Sequence, residues 1–421
     1  MTFEEFRKAG HLPTLLCALL YFTVSCMTWM LVGALANSII PDLGQVSDSR
    51  KGLMVAVPLL GGSLLRLVLG PLTDHVGARK TAMLGLWLTV IPLLMGWLWA
   101  DSYAKVLFMG LLLGVAGASF AAALPLASRW YPPHCQGLVL GIAGAGNGGT
   151  ALATLLGPPV AATWSWHAAF GMALIPVLAT LALFGIFARD SPRQPAAKSL
   201  ADYSAVLKVP DCGWFCFFYA ITFGGFVGLV SFLAIFFHDQ YGLSRINAGA
   251  FATVCAITGS LIRPLGGHLA DRFGGIRVLG LLYVGAALSM AGVSTMPSLT
   301  ACTVLLVAGM ALLGMGNGAV FQLVPQRFPK EIGVVTGLVG AAGGLGGFLL
   351  PNLLGSLRQM TNSYSGGFIA FALIVAAGTA ALAFIGRNWE RTFLGKGGVV
   401  PGLAQPGRVE MAPVYVDEPY S

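Results

Sequence analysis

The chain has 421 residues, of which 56% are hydrophobic and 10% are charged, and its mean hydropathy is +0.80. This balance excludes an ordinary soluble globular protein, because such proteins carry about 25% charged residues. The formal net charge of +8 does not indicate a nucleic-acid partner, because membrane orientation alone produces an excess of basic residues. The sequence therefore predicts an integral membrane protein whose partner is the lipid bilayer.

Apolar runs of about 20 residues, long enough to cross a hydrocarbon core of roughly 30 Å, recur along the chain. The first run is too long for a signal-peptide core, so we expect it to be retained as a helix. The fold class is all-α, with twelve predicted transmembrane helices. They cover residues 12–39, 53–72, 81–100, 105–128, 137–163, 166–188, 213–237, 247–270, 278–297, 299–324, 332–357 and 366–386.

A segment rich in proline and charge divides these spans six and six. We predict an N-terminal six-helix bundle over 1–188, a cytoplasmic linker over 189–212, a C-terminal six-helix bundle over 213–387 and a flexible cytoplasmic tail over 388–421. With both termini in the cytoplasm, most basic residues outside the spans lie on the inner side, as the positive-inside rule requires. This orientation predicts a protein of the cytoplasmic (inner) membrane.

One charged phrase, R-x3-G-x-L-x-D-x2-G, occurs once in each half. Its leading residues, Arg66 and Arg263, lie deep inside apolar spans, roughly 12 Å from the cytoplasmic rim at 1.5 Å per residue. A charge at membrane depth is costly and indicates function by default. No carboxylate is predicted at that depth, so the expected partner is a mobile anion. The alternative is two structural arginines satisfied by carbonyl groups.

The halves also correspond to each other outside this phrase, and their even number of spans makes the repeats parallel. Such repeats resemble the major facilitator superfamily, in which the substrate site lies between the halves near the midplane. Arg66 and Arg263 would then face each other across a central cavity. The corresponding positions are Gly114 and Pro125 with Gly314 and Pro325, Pro133 and Gly137 with Pro329 and Gly333, and Gly141, Gly144 and Gly148 with Gly337, Gly340 and Gly344.

The turn after each arginine resembles the signature connection of that superfamily between helices 2 and 3, or its counterpart between helices 8 and 9. We expect Asp74 to accept hydrogen bonds from Arg79 or from amides at a neighbouring helix start. The resemblance implies a conformational latch for the outward-open state; an ordinary solvated turn is the alternative. The latch residues would be Gly70, Asp74, Gly77 and Arg79, with Gly267, Asp271, Gly274 and Arg277.

Two spans are rich in glycine, which lets helices pack backbone to backbone and slide. The first also carries Asn147, a lone amide in mid-span that must find a polar partner, for which a ligand is a candidate. In the second stretch Gly343 stands where the first has Asn147, so we expect an asymmetric site. The glycines are Gly141, Gly144, Gly146, Gly148 and Gly149 in the first stretch and Gly337, Gly340, Gly343 and Gly344 in the second.

These stretches, together with the two arginines, resemble the nitrate/nitrite porter family of the major facilitator superfamily, over nearly the whole chain through Gly386. The resemblance implies a nitrate or nitrite anion clamped between Arg66 and Arg263. A planar guanidinium fork suits a small planar oxyanion, which agrees with this implication. By the same resemblance, the other substrate-binding residues are Asn147, Phe120, Tyr219 and Phe223.

The coupling partner stays open between a proton and a counter-anion. No intramembrane Asp or Glu is predicted, and His167 and His268 lie near helix ends, which favours anion exchange. The latch phrase with Asp74 and Asp271, by contrast, resembles the proton-linked uptake branch of the family. Transport of another small anion and a nitrate sensor on a transporter scaffold are the alternatives; a sensor would ordinarily add a folded cytoplasmic domain.

An enzyme is not expected, because no catalytic residue set, metal cluster or phosphate loop is recognisable in the sequence. The seven cysteines lie mostly within apolar runs and are interpreted as packing residues. We therefore predict no metal and no cofactor. The protein is expected to act as a monomer.

Overall fold

The computed structural model describes residues 7–132, 136–192, 200–328, 331–395 and 397–398. In this part of the chain, twelve helices are long and apolar enough to cross a membrane, which confirms the predicted all-α class. The helices are α1 Leu12–Trp29, α2 Asp48–Val76, α3 Ala78–Leu98, α4 Tyr103–Ser128, α5 Val139–Thr163, α6 Trp166–Phe187, α7 Pro210–Tyr241, α8 Arg245–Phe273, α9 Gly275–Ser294, α10 Leu299–Arg327, α11 Ile332–Thr361 and α12 Ser365–Thr392.

Several helices extend past their predicted ends. Helix α2 begins at Asp48 and α12 ends at Thr392, because charged residues continue a helix into the aqueous interface, where an apolar run cannot indicate them. The predicted first span, by contrast, is interrupted after Trp29, and the chain continues through the short helices Leu31–Ala34 and Ala36–Asp42.

The predicted linker and tail are only partly described. The linker contains a short helix at Leu200–Leu207, and residues 193–199 lie outside the described part. After α12, the backbone N–H groups of Gly275 and Arg277 donate to the carbonyls of Gly398 and Gly397, each at 3.2 Å. Within the predicted tail of 388–421, the first residues therefore continue α12 to Thr392, and Gly397 and Gly398 pack against the start of α9, while residues 399–421 are not described.

The two halves meet tightly at the end of the bundle that carries the α1–α2 and α7–α8 connections, here called the outer end. Lys51 of α2 forms an ion pair with Asp239 of α7 at 2.9 Å. The Asn37 amide donates to the Ala234 carbonyl at 2.7 Å. Helix α2 also approaches α11 so closely that a Cβ added to Gly52 would collide with the Pro351 carbonyl.

The opposite end, where α1 begins and α12 ends and which is here called the inner end, is open between the glycine-rich helices. Gly141 and Gly144 of α5 and Gly333 and Gly337 of α11 would meet nothing within 4 Å of an added Cβ. The structure is therefore closed at the outer end and open at the inner end. With the predicted orientation, this arrangement is inward-open.

Candidate functional site: a paired arginine centre

Four helices are irregular at the level of the two arginines. Helix α4 is interrupted between Gly117 and Phe120, and α5 contains a 3-10 turn at Ala145–Gly148. A π-helical turn interrupts α7 at Ala220–Gly224, and α8 breaks at Ile262. Irregular backbone at membrane depth is tolerated only where protein or a cavity surrounds it. These four breaks therefore surround a region at the centre of the bundle in which the helices depart from regular geometry.

Arg66 is 2% exposed and donates to two backbone carbonyls. At the break in α4, the Ala121 amide donates a hydrogen bond to the Ala118 carbonyl at 3.0 Å. The Gly117 carbonyl is therefore left without a helical donor. That carbonyl accepts from Nε of Arg66 at 3.1 Å and from Nη2 at 2.9 Å. Nη1 donates at 2.6 Å to Gly340 of α11, so this arginine links the two halves.

Arg263 begins the helical segment that follows the break in α8 and is partly buried. Its Nη1 is buried and has no hydrogen-bond partner among the described residues. The guanidinium carbons of Arg66 and Arg263 lie 5.8 and 5.7 Å from the centroid of one ring, that of Phe120. The two arginines from opposite halves therefore converge on the same aromatic side chain.

Aromatic rings enclose this pair. Tyr219 and Phe223 stack in parallel, with centroids 5.1 Å apart and an interplanar angle of 4°, and the Arg66 guanidinium lies 5.0 Å from the Phe223 centroid. Phe321 meets Tyr219 edge to face at 4.9 Å and lies 5.6 Å from the Arg263 guanidinium. Ring faces attract cations by roughly 0.5–2 kcal/mol each, so they partly compensate charges that no described carboxylate neutralises.

Asn147 is buried in the 3-10 turn of α5, between α1 and α8. Its Oδ1 accepts a weak hydrogen bond from the Cys26 thiol at 3.8 Å, and its backbone carbonyl accepts from the Ser260 hydroxyl at 3.4 Å. Among the described contacts, it makes no hydrogen bond to either arginine. Its predicted role as an anion ligand stays a prediction.

The predicted glycines form two groups. Gly146 and Gly149 pack against α1, Gly343 against the ring of Tyr219, and Gly344 against Ser63 of α2, each too close for a side chain. These glycines bring the helices of the site together, and Gly340 supplies the carbonyl that binds Arg66. Open space lies beside Gly141, Gly144, Gly148 and Gly337.

Three residues of this region were not predicted from the sequence. Trp29 lies 5.4 Å from the Arg66 guanidinium, Phe321 contacts Arg263, and the buried Asn317 lies one helical turn before Phe321 on the same face of α10. The sequence contains many aromatic residues in apolar spans, so Trp29 and Phe321 carry no distinguishing signal. Asn317 did carry one, because it is a second lone amide in mid-span.

In the predicted latch of the first half, Asp74 has a different partner from the expected Arg79. Asp74 pairs with Arg129 at the end of α4, and not with Arg79. The Arg79 amide donates at 2.8 Å to the carboxylate of Asp190, and its side chain donates to the Gly185 carbonyl at 3.0 Å. The expectation of an Asp74–Arg79 pair is therefore wrong, because the turn at Gly77 directs Arg79 towards the end of α6.

The second copy of the phrase is built differently. Gly274 adopts a positive φ of 94°, close to the 98° of Gly77, so the turn itself is repeated. Asp271, however, is exposed. Arg327, at the end of α10, instead binds Asp211 at the start of α7, with Nε 2.5 Å from Oδ2. The ion pair that ties α2 to α4 in the first half thus has no counterpart between α8 and α10 among the described residues.

The sequence relationships agree with this architecture. The family model of the Major Facilitator Superfamily matches residues 17–351. The chain belongs to the major facilitator superfamily. Members of this superfamily are transporters, so the protein is an integral membrane transporter and not an enzyme.

Curated relatives narrow the position within the superfamily. A "Nitrite extrusion protein" of Bacillus subtilis (strain 168) is 35% identical, over 83% of this chain and 88% of the relative. A "Probable nitrate/nitrite transporter NarK2" of Mycobacterium tuberculosis (strain ATCC 25618 / H37Rv) is 34% identical, over 88% and 96%. A "Probable nitrate/nitrite antiporter NarK1" of Thermus thermophilus is 30% identical, over 88% and 91%. The predicted membership of the nitrate/nitrite porter family is confirmed.

Solved structures share the fold at low sequence identity. A bacterial homolog of the human lysosomal transporter Spinster, in an inward-facing and occupied conformation, aligns with a TM-score of 0.68 and 17% identity, over 90% of this chain and 97% of that one. The human organic anion transporter MFSD10 aligns with a TM-score of 0.67 and 16% identity, over 88% and 99%. These likenesses extend the facilitator fold to nearly the whole chain.

The Asp74–Arg129 ion pair has no counterpart at Asp271 among the described residues, so we expect the two aspartates to contribute differently to stability. Asp74→Asn removes a charge from a pair whose side chains are only 12% and 16% exposed, so we expect it to lower the free energy of unfolding by about 2 kcal/mol. Thermal melting of the detergent-solubilised protein measures this loss. Asp271→Asn is the matched control and should change stability by less than about 0.5 kcal/mol. Equal losses in both variants would contradict the assignment.

Proposed function

We propose that this facilitator moves nitrate, and also nitrite, across the cytoplasmic membrane by alternating access, with the anion held between Arg66 and Arg263. The observation that carries the proposal is the convergence of both guanidinium groups on the Phe120 ring, at 5.8 and 5.7 Å. No salt bridge to either arginine is present among the described residues. The names of the curated relatives support nitrate and nitrite as the anions.

The hydrogen-bonding capacity of the pair fits a small oxyanion. A guanidinium carries five N–H donors in a planar fork. Arg66 uses three of its donors on Gly117 and Gly340, and the Nη1 of Arg263 is without a partner. A planar anion between the two forks would accept hydrogen bonds from free donors of both groups. The surrounding rings lower the local dielectric, which strengthens the attraction between unlike charges.

Two other functions fit the fold less well. A larger organic anion needs several polar groups, whereas the side chains that contact the two guanidinium groups are mainly the rings of Trp29, Phe120, Phe223 and Phe321. A nitrate sensor would use the same site without moving the anion. Anion binding without uptake would indicate a sensor and not a transporter.

The central test is the loss of the guanidinium fork at constant charge. We expect Arg66→Lys and Arg263→Lys each to weaken nitrate binding at least about 100-fold, because an ammonium group cannot form the bidentate contact. Calorimetry on the purified protein measures the affinity, with competition by nitrite, chloride, phosphate and formate to define selectivity. Arg245→Lys, at the start of α8, is the control. Unchanged affinity in both site variants would refute the bidentate clamp.

Alternating access requires the inner end to close when the outer end opens. The open space beside Gly141, Gly144 and Gly337 is where α5 and α11 would meet other helices in the opposite state, as α2 meets α11 at Gly52 here. The glycine-rich stretches therefore supply smooth surfaces for both closures. Helices without side chains at the contact can pack closely and separate again.

Bulky substitutions at the two ends should trap opposite states. Gly52→Leu would collide with the Pro351 carbonyl, so we expect it to hold the outer end open. Gly337→Leu has room in the present arrangement, so it should keep the outer end closed but abolish transport. The distance between spin labels at Ser49→Cys and Gln359→Cys, which are in contact here, measures the outer opening.

Gly213→Leu is the control for added volume, because no atom lies within 4 Å of its added Cβ. It should leave both the distance and transport unchanged. A closed outer end in the Gly52→Leu variant would contradict the assignment of this contact as a gate.

We infer anion exchange as the mode of coupling. In the described part of the chain, no Asp or Glu contacts the arginine pair, so a proton carrier is not provided there. Two unpaired cations make the crossing of an empty site costly, whereas an anion reduces that cost. The carrier should therefore cross mainly when it is loaded.

Counterflow in proteoliposomes tests the coupling. We expect internal nitrite to drive nitrate uptake, and collapse of the pH gradient to leave the rate unchanged. Vesicles without an internal anion should take up little nitrate. Uptake that stops when the pH gradient is collapsed would instead establish proton symport.

A further inference from the structure

Asn317 of α10 is buried near the arginine pair and has no part in the anion site proposed above. It is 1% exposed, and its Oδ1 has no hydrogen-bond partner among the described residues. The Nη1 of Arg263 is likewise buried and without a hydrogen-bond partner among the described residues. A buried donor or acceptor without a partner is costly, so an arrangement that joins these two atoms is favoured.

The packing of the two halves shows which residue of the first half corresponds to Asn317. Gly114 of α4 packs against Gly61 of α2, and Gly314 of α10 packs in the same way against Gly259 of α8. The alignment of the two halves that pairs Gly114 with Gly314 also pairs Gly117 with Asn317. The pseudo-symmetric partner of Asn317 is thus the residue whose carbonyl holds Arg66.

The two helices supply a carbonyl oxygen in different ways. Helix α4 breaks after Gly117, which releases that backbone carbonyl for Arg66. Helix α10 is continuous from Leu299 to Arg327, so the backbone carbonyl of Asn317 stays within the helix. At the equivalent position, the side chain of Asn317 carries the oxygen that the unbroken backbone cannot provide.

The location of Asn317 suits a contact with Arg263. The next residue, Gly318, lies directly against the backbone of Arg263, since an added Cβ would collide with the Arg263 carbonyl oxygen. Phe321, one turn further along α10, lies under the Arg263 guanidinium at 5.6 Å. Both the backbone and the guanidinium of Arg263 therefore lie against the turn of α10 that begins at Asn317.

We propose that Asn317 is a positioning residue for Arg263. When the anion is held, the Arg263 guanidinium donates a hydrogen bond to Oδ1 of Asn317, as the Arg66 guanidinium donates to the Gly117 carbonyl. This inference rests on the proposed nitrate site. The bond fixes the plane of the Arg263 fork, so it favours a planar oxyanion over a spherical halide. Asn317 therefore contributes to selectivity without contacting the anion.

The first test measures nitrate and chloride affinity by calorimetry. Asn317→Leu fills the same volume but cannot accept a hydrogen bond, and we expect nitrate binding about tenfold weaker with chloride binding little changed. Asn317→Asp should abolish nitrate binding by neutralising Arg263. Gln322→Leu is the matched control, because Gln322 is another buried amide of α10 without a partner, located beside Gly275. Wild-type nitrate affinity in Asn317→Leu would overturn the proposal.

A second test does not depend on the ligand. Asn317→Asp should raise the melting temperature of the protein through an ion pair with Arg263, and lower it in an Arg263→Gln background, where the new carboxylate has no partner. The same change in both backgrounds would overturn the proposal. Wild-type protein that binds no nitrate would refute the proposed function, whereas the melting result would still decide the role of Asn317.

Discussion

The structure depends on one electrostatic constraint, which is that two guanidinium charges lie at membrane depth without a carboxylate partner in the described part of the chain. Arg66 is held by the carbonyls of Gly117 and Gly340, and both cations lie over the Phe120 ring. Carbonyl dipoles and ring faces reduce the cost of burial but leave the net charge in place. On the proposed function, this remaining positive charge is what attracts the anion.

The irregular backbone around the centre follows from the same constraint. A continuous helix uses its own carbonyl groups, so it can offer none to a buried arginine. The break in α4 releases the Gly117 carbonyl, and breaks in α5, α7 and α8 lie at a similar depth. The glycine-rich stretches have a second function, because they allow close packing at Gly343 and Gly344 and leave room at Gly141 and Gly337.

The two arginines of the centre could be predicted from the sequence, because a charge in an apolar span is rare and recurs at the equivalent position of the second half. Arg66 and Arg263 do converge in the structure, on the ring of Phe120, which only the family resemblance implied. Tyr219 and Phe223, implied in the same way, lie beside them. Trp29 and Phe321 could not be distinguished from the other aromatic residues of the spans. The partner of Asp74 was predicted incorrectly, since Arg129 is remote in sequence and meets Asp74 only through the packing of α2 against α4.

The sequence by itself determined the membrane class, the twelve helices and the presence of two cations within apolar spans. These properties depend on hydropathy and repetition along the chain, which are local or periodic. Only the tertiary structure decided that the outer end is closed and the inner end open, that Arg66 crosses to α11, and that the two phrase copies have different ion pairs. These features depend on which helix lies against which, and contacts between distant segments leave no periodic pattern in the sequence.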